Sequence, residues 1–387
     1  MRIRNNPSTK RRLISAFSLG APLLAGCVDK GPTSPVMPVA PPAAMTKGVE
    51  AHTVALGNRL AYLWAQTASP PLNTPYAPDA QRNYNGLGLT NTVTKTNAGE
   101  YLVTLGGMAK GATGKETLIV TAYAQTKLRC VVFGWGDRGT DLEVVVNCVD
   151  WAGVPTDSRF SLLMVGENSL AGNLAFAWAS DPTSLNYPAP PMYAWNPSGN
   201  PMTLFHSSTQ TGAYSARLGV SSAGPETYLV SAYGSTDTQC AIGFWNAGFG
   251  SVTTNCFDHA GVPADGLYTV LHLDQGRPGK RFGFALANQQ SSPTPYAPDP
   301  AFSASTGGAI TITRTQKGVY TVDFTGLQKP VATRTENVQV SAMNTGFACT
   351  VPAWPKTPSG TGLRVWVVCR NGAGAVADSY FTVVVLE

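Results

Sequence analysis

Three observations predict an all-β fold for this chain. The first is composition: Gly (40) and Pro (29) are frequent and charged residues make up only 13% of 387 residues. Thr, Val, Tyr and Ser recur between them in short runs, the pattern of many short strands joined by turns. The second is that no stretch sustains apolar residues at helical spacing. The third is an internal period of about 110 residues.

The phrase TPYAPD at Thr74–Asp79 returns letter for letter at Thr294–Asp299, two periods further along the chain. A middle copy has decayed to NYPAPP around Tyr187. The spacings Tyr76 to Cys130, Tyr187 to Cys240 and Tyr296 to Cys349 agree to within a single position. Gly99-Glu-Tyr101, Gly212-Ala-Tyr214 and Gly318-Val-Tyr320 keep the same register, as do VTAYA at Val120, VSAYG at Val230 and VSAMN at Val340. Trp135, Trp245 and Trp354 each stand five residues after the first Cys of a unit. Gly153, Gly261 and Gly374 stand five after the second Cys, and Asp157, Asp265 and Asp378 nine after it. The expected organisation is a signal segment over 1–26, a tether over 27–58, and β repeats over 59–168, 169–278 and 279–387.

Within the first repeat, strands are expected at Ala61–Ala65, Arg82–Asn85, Asn91–Thr96, Tyr101–Leu105, Leu118–Tyr123, Arg129–Trp135, Leu142–Cys148 and Arg159–Val165. Eight short strands per repeat suit two architectures. One is a six-bladed β-propeller with two four-stranded blades per repeat. It is favoured by the short joints between repeats, by aromatic strands that open each half-repeat, and by the need of a ring to close. The alternative is three tandem β-sandwich modules.

Apart from Cys27 there are six cysteines, two per repeat: Cys130 with Cys148, Cys240 with Cys256 and Cys349 with Cys369. Their separations of 18, 16 and 20 differ by twos. A pair facing each other across a hairpin that lengthens by one residue on each side has this signature. Three disulfides within the repeats are therefore expected, and with them an oxidising compartment. Cysteines on neighbouring strands argue against an immunoglobulin pattern, whose pair bridges two sheets.

The N-terminus reads as an address. Arg2, Arg4, Lys10, Arg11 and Arg12 precede the apolar stretch Leu13–Leu24, which is too short for a permanent membrane span. Setting those five aside leaves 22 of the 27 basic residues against 22 acidic ones. The formal charge of +5 thus belongs to this segment and gives no case for nucleic acid as a partner. Leu24-Ala25-Gly26-Cys27 resembles the lipobox of bacterial lipoproteins. The resemblance implies acylation of Cys27 and a membrane held through N-terminal lipid. With Val28 rather than Asp after the Cys, it implies the outer membrane. Gly31–Met45, with five prolines, is expected to be an extended tether.

The repeats resemble those of a widespread, largely uncharacterised set of exported bacterial proteins. The resemblance rests on Gly99 to Val103, Val120 to Tyr123, Cys130–Trp135–Cys148 and Gly153 to Phe160, and spans about residues 59–387. It departs at Gly266, where Ser is expected, and at Met343, where Tyr is expected. It implies export and a β-rich build and brings no activity with it.

Residues present in all three repeats are expected to hold the repeat together, so a binding site should break the symmetry. Trp135, Trp245 and Trp354 then read as core aromatics, and Asp157, Asp265 and Asp378 as turn residues that bond nearby backbone N–H groups. His52, His206, His259 and His272 form no metal-spaced pair, and Asp258-His259 and His272-x-Asp274 are the only His–Asp neighbours. No metal or cofactor is expected. The symmetry-breaking aromatics Trp151, Tyr193, Trp195 and Trp366 are the candidate ligand-binding residues, able to stack on sugar or anchor a partner. The function expected is a lipid-anchored, disulfide-stapled surface binding or adhesion protein for glycan or an envelope component. Its alternatives are a surface hydrolase with an irregular loop site and a purely structural envelope protein. The sequence specifies no oligomeric state.

Overall fold

The computed structural model describes residues 59–124, 127–276, 279–327, 335–343 and 346–387. The signal segment, Cys27, His52 and the tether lie outside the described residues. Within them there is no α-helix, and none long and apolar enough to cross a membrane. The first unit contributes strands β1 (Leu60–Ala65), β2 (Asn83–Asn85), β3 (Asn91–Asn97), β4 (Glu100–Leu105), β5 (Glu116–Tyr123), β6 (Leu128–Arg138), β7 (Asp141–Asp150) and β8 (Arg159–Gly166). The second contributes β9 (Ala175–Ala179), β10 (Asn186–Pro188), β11 (Ala194–Trp195), β12 (Thr203–His206), β13 (Ala213–Arg217), β14 (Thr227–Tyr233), β15 (Thr238–Trp245), β16 (Ser251–Asp258) and β17 (Leu267–Leu273). The third contributes β18 (Phe282–Ala287), β19 (Ser303–Ser305), β20 (Ile310–Gln316), β21 (Val319–Thr325), β22 (Asn337–Met343), β23 (Phe347–Ala353), β24 (Gly362–Asn371) and β25 (Tyr380–Leu386). The strands expected in the first unit are all present, within two or three residues at their ends.

Strand order decides between the two architectures. A propeller needs each half-unit to form its own blade. Instead β1 pairs with β8 and β4 with β7, so each half is divided between two sheets. The orders are β2-β1-β8-β5 and β3-β4-β7-β6. The first recurs as β11-β9-β17-β14 and β19-β18-β25-β22, the second as β12-β13-β16-β15 and β20-β21-β24-β23. The propeller expectation is corrected accordingly, and none of the four described sheets closes on itself. The faint echo between half-units misled because the aromatic strands that open them, β1 and β5, share one inner sheet, while the strands that close them, β4 and β8, lie in different sheets.

The two sheets of a unit bury differently, and the sequence records it. The strands β8, β17 and β25 of the inner sheets are buried over nearly their whole length, and they read as near-continuous apolar runs such as Leu162-Leu163-Met164-Val165. In the outer sheet, β4 alternates buried and half-buried residues, as does most of β7, so only one face is covered. One face of each inner sheet packs on the outer sheet of its own unit. The opposite faces meet in a shared core formed by Tyr62, Ile119 and Leu163 with Phe176, Leu229 and Leu271 and with Phe282, Phe284 and Val384.

The units are joined in cyclic order. Ser231 Oγ accepts the Val120 N–H at 3.4 Å, Ser341 Oγ accepts the Val230 N–H at 2.9 Å, and Thr121 Oγ1 accepts the Val340 N–H at 3.1 Å. The hydroxyl of each Val-[Thr/Ser]-Ala motif therefore ties two units together. The repeated Trp does so as well. Trp135 stands against Trp178, Tyr193 and Tyr233 of the second unit, and Trp245 against Phe302 of the third. Trp354 stands against Trp64 and Tyr123 of the first. Short parallel bridges, Val132 with Tyr233 and Ile242 with Met343, fuse outer and inner sheets of successive units. At the third joint Thr350 Oγ1 donates to the Ala124 carbonyl at 2.8 Å.

Cys130–Cys148, Cys240–Cys256 and Cys349–Cys369 are disulfide-bonded and sit directly opposite one another on adjacent antiparallel strands. The TPYAPD phrase starts a single turn of 3-10 helix. Asp79 and Asp299 accept the N–H groups of Gln81 and Ala301 at 2.9 Å, and Tyr76 and Tyr296 pack on the cores of their units.

Candidate ligand-binding face

The residues shared by all three units are occupied in holding the fold. Asp157, Asp265 and Asp378 accept the N–H groups of Gly99, Gly212 and Gly318 at 2.9, 2.7 and 2.7 Å. Each glycine has φ between +66° and +70°, and a Cβ there would meet backbone atoms 2.3 to 2.5 Å away. Each carboxylate also faces one basic side chain from the neighbouring strand: Lys95, His206 or Arg314. The hydroxyls of Tyr101, Tyr214 and Tyr320 accept the N–H of Ser158, Gly266 and Ser379 and donate to a loop carbonyl. The three aspartates do bond backbone N–H groups, but those of a glycine 53 to 60 residues away rather than of their own turn.

Sequence reasoning missed a second tripled set. Glu116, Glu226 and Glu336 recur at the period of the repeat, and none is more than 3% exposed. Glu116 meets Arg59 at 2.7 Å and Lys110 at 3.1 Å and accepts from Trp135 Nε1 at 3.1 Å. Glu226 meets His272 Nε2 at 3.1 Å, and Glu336 stands 3.8 Å from Arg281. The period itself was the signal that would have found them. Burial pulls the Lys110 ammonium down, but Glu116 and Asp137 together hold it above its ordinary value. All three are buried, each beside a basic or imidazole side chain.

The histidines are placed individually. His272 is fully buried between Glu226 and the Asn173 carbonyl, while its sequence neighbour Asp274 bonds Asn173 and Ser222 instead. His259 is exposed, and Asp258 caps its own turn through the N–H groups of Ala260 and Val262. Among the described residues no group of three or more His, Cys, Asp or Glu could hold a metal.

The four candidate aromatics do not converge. Tyr193 is half-buried within the Trp135–Trp178–Tyr233 cluster, with the Lys110 ammonium 4.9 Å from its ring. Trp195 lies against Phe176 and the shared core. Trp151 donates from Nε1 to the Gly372 carbonyl at 2.8 Å and has the Arg129 guanidinium 5.3 Å from its ring. These three act in packing between or within units. Trp366 differs. It lies between Val365 and Val367, both in the core, so its indole faces outward from the outer sheet of the third unit.

Trp366 belongs to a cross-strand row: Thr313, Thr321, Trp366 and Ala353 are successive partners across β20, β21, β24 and β23. Beside it Arg364 and Asp323 form a two-point ion pair at 2.7 and 2.6 Å. In the second unit the same row reads Phe205, Ser215 and Thr253, and it ends at Phe244, whose carbonyl accepts from Thr253 Oγ1 at 3.1 Å. Phe244 is 57% exposed, and the guanidinium of Arg217 stands 5.1 Å from the Phe205 ring. In the first unit the row is Thr94, Leu102, Val145 and Gly134, with Phe133 exposed in the adjoining bulge. Phe133 and Phe244 were not legible in sequence because each lies at a β-bulge, where the alternation of inward and outward side chains loses phase. Four neighbouring strands make each row about 14 Å across.

No protein-family model, no curated protein and no solved structure matches the chain. The reading of the face therefore rests on its own chemistry. Two aromatic rings with two hydroxyls and a guanidinium between or beside them offer apolar contact and hydrogen bonds on one open surface. Such a surface suits an extended ligand that carries both C–H faces and hydroxyl groups.

Proposed function

We propose that this chain is an exported cell-surface binding protein, built as three tandem copies of one β-sandwich module and held to the outer membrane by lipid on Cys27. Its ligand is a glycan chain of the envelope or of a neighbouring surface, lying along the outward rows of the outer sheets. The observation that carries the reading is the row Phe205–Ser215–Thr253–Phe244, open to solvent and aromatic at both ends. The three disulfides support an oxidising, exported location.

Retention on immobilised cell-wall and other glycans tests the proposal. Wild-type protein is expected to bind saturably. Phe244→Ala and Trp366→Ala are each expected to weaken binding about 3- to 10-fold, the loss of one ring contact, with unfolding midpoints unchanged. Binding that is absent, or indifferent to both substitutions, overturns it. Turnover of a chromogenic glycoside by the same preparation would favour a surface hydrolase instead.

A further inference from the structure

A cavity of about 50 Å³ lies where the three units meet, lined by Thr121, Ser231 and Ser341 and by Arg129, Gln239 and Thr350. Arg129 is the one cation on this lining, and the corresponding positions of the other units are Gln239 and Ala348. Its side chain is 4% exposed. Nη1 reaches Gln239 Oε1 at 3.4 Å, while Nε and Nη2 are buried with no partner among the described residues. The carboxylates of Asp150, Asp237 and Asp258 act on it through space, yet none forms an ion pair with it among the described residues. Asp150 and Asp258 are turned into their own turns, each accepting two backbone N–H groups. A guanidinium stays protonated even when buried, so an unsatisfied edge is costly.

Nε and Nη2 form the side-on fork of a guanidinium, which matches the two oxygens of a carboxylate. Among the described residues the same fork grips a carboxylate at two other places. Arg314 grips Asp378 through Nε and Nη2 at 2.8 and 2.9 Å, and Arg364 grips Asp323 at 2.7 and 2.6 Å. At Arg129 the fork is buried, belongs to a side chain that lines a cavity, and has no carboxylate partner among the described residues. The space admits about three or four waters, or one planar anion of three or four heavy atoms. We infer that the axial cavity is a binding site for a small carboxylate, of the size of formate or acetate, gripped by Nε and Nη2 of Arg129.

Thermal unfolding of the full chain in sodium formate, against sodium chloride at equal ionic strength, tests this. Wild type is expected to show a saturable rise of about 2–4 °C specific to formate. Arg129→Met is expected to lose that rise, and Arg129→Lys, which keeps the charge without the fork, to lose most of it. Benzoate, too large for the cavity, is expected to give none. A formate response that persists in Arg129→Met, that is matched by benzoate, or that is missing from wild type overturns the inference. If Arg129→Met does not fold, Arg129→Lys decides by the same comparison.

Discussion

At the level of single residues, the most instructive groups are carboxylates that do structural work. Burial acts to raise the Asp157 carboxyl, but the Gly99 N–H, Lys95 and Ser69 outweigh it and hold it below the ordinary value. Asp378 is likewise held low, by Arg314, the Gly318 N–H and Tyr320 against the effect of burial. A depressed carboxyl contributes stability that is complete above the unfolded value, near 3.9, and is lost as pH falls through the folded one. Urea unfolding between about pH 5 and pH 2 should therefore show a steeper loss for wild type than for the Asp157→Asn/Asp378→Asn variant. Parallel pH profiles would remove the ion-pair and N–H contribution assigned to these two residues. That these aspartates bond backbone N–H groups was readable in sequence, but their partners, Gly99 and Gly318, were not, because they lie 58 and 60 residues away. The buried glutamates were not read, because an acid before an apolar strand looks like a solvated strand end.

At the level of strands, sequence alternation located nearly every element of the first unit, and the Cys spacings named the paired strands. What it did not reveal was which strands share a sheet. The runs of β5, β14 and β22 are buried on both faces, so their period carries no direction. Their one repeated hydroxyl reads as an outward residue until the neighbouring unit is in place. Ser341 is the sharpest case, accepting the Val230 N–H at 2.9 Å and donating to the Val230 carbonyl at 3.1 Å in a buried joint. Ser341→Ala should cost about 1–3 kcal/mol by denaturant titration, since it leaves both backbone groups without their hydroxyl partner. Ser215→Ala, on the open outward row, should stay within about 0.5 kcal/mol. Equal costs would place the joint hydroxyls outside the energetics of assembly. The proposed row was only partly legible. Trp366 stood out as an aromatic without equivalents, whereas Phe244 was hidden by its bulge, and Trp151, Tyr193 and Trp195 make contacts within the fold.

Across the described residues, the strand orders β2-β1-β8-β5 and β3-β4-β7-β6 each recur twice, and none of the four sheets closes on itself. Each unit's core is completed by its neighbour: Trp178 and Tyr233 enter the first core, Leu286 and Met343 the second, Trp64 and Tyr123 the third. On the proposed reading, units tied to one another in this way hold three outward faces for contact at several points along one ligand. The same ties make the units depend on one another for stability. Calorimetric unfolding of wild type and Trp354→Ala measures that dependence most directly. The wild type is expected to melt in one transition with equal calorimetric and van't Hoff enthalpies. Trp354→Ala, destabilised by about 3–5 kcal/mol, is expected to keep a single transition at lower temperature, because opening the third joint exposes the first unit as well. Separate transitions in the wild type, or a variant in which the third unit melts alone, would contradict that dependence.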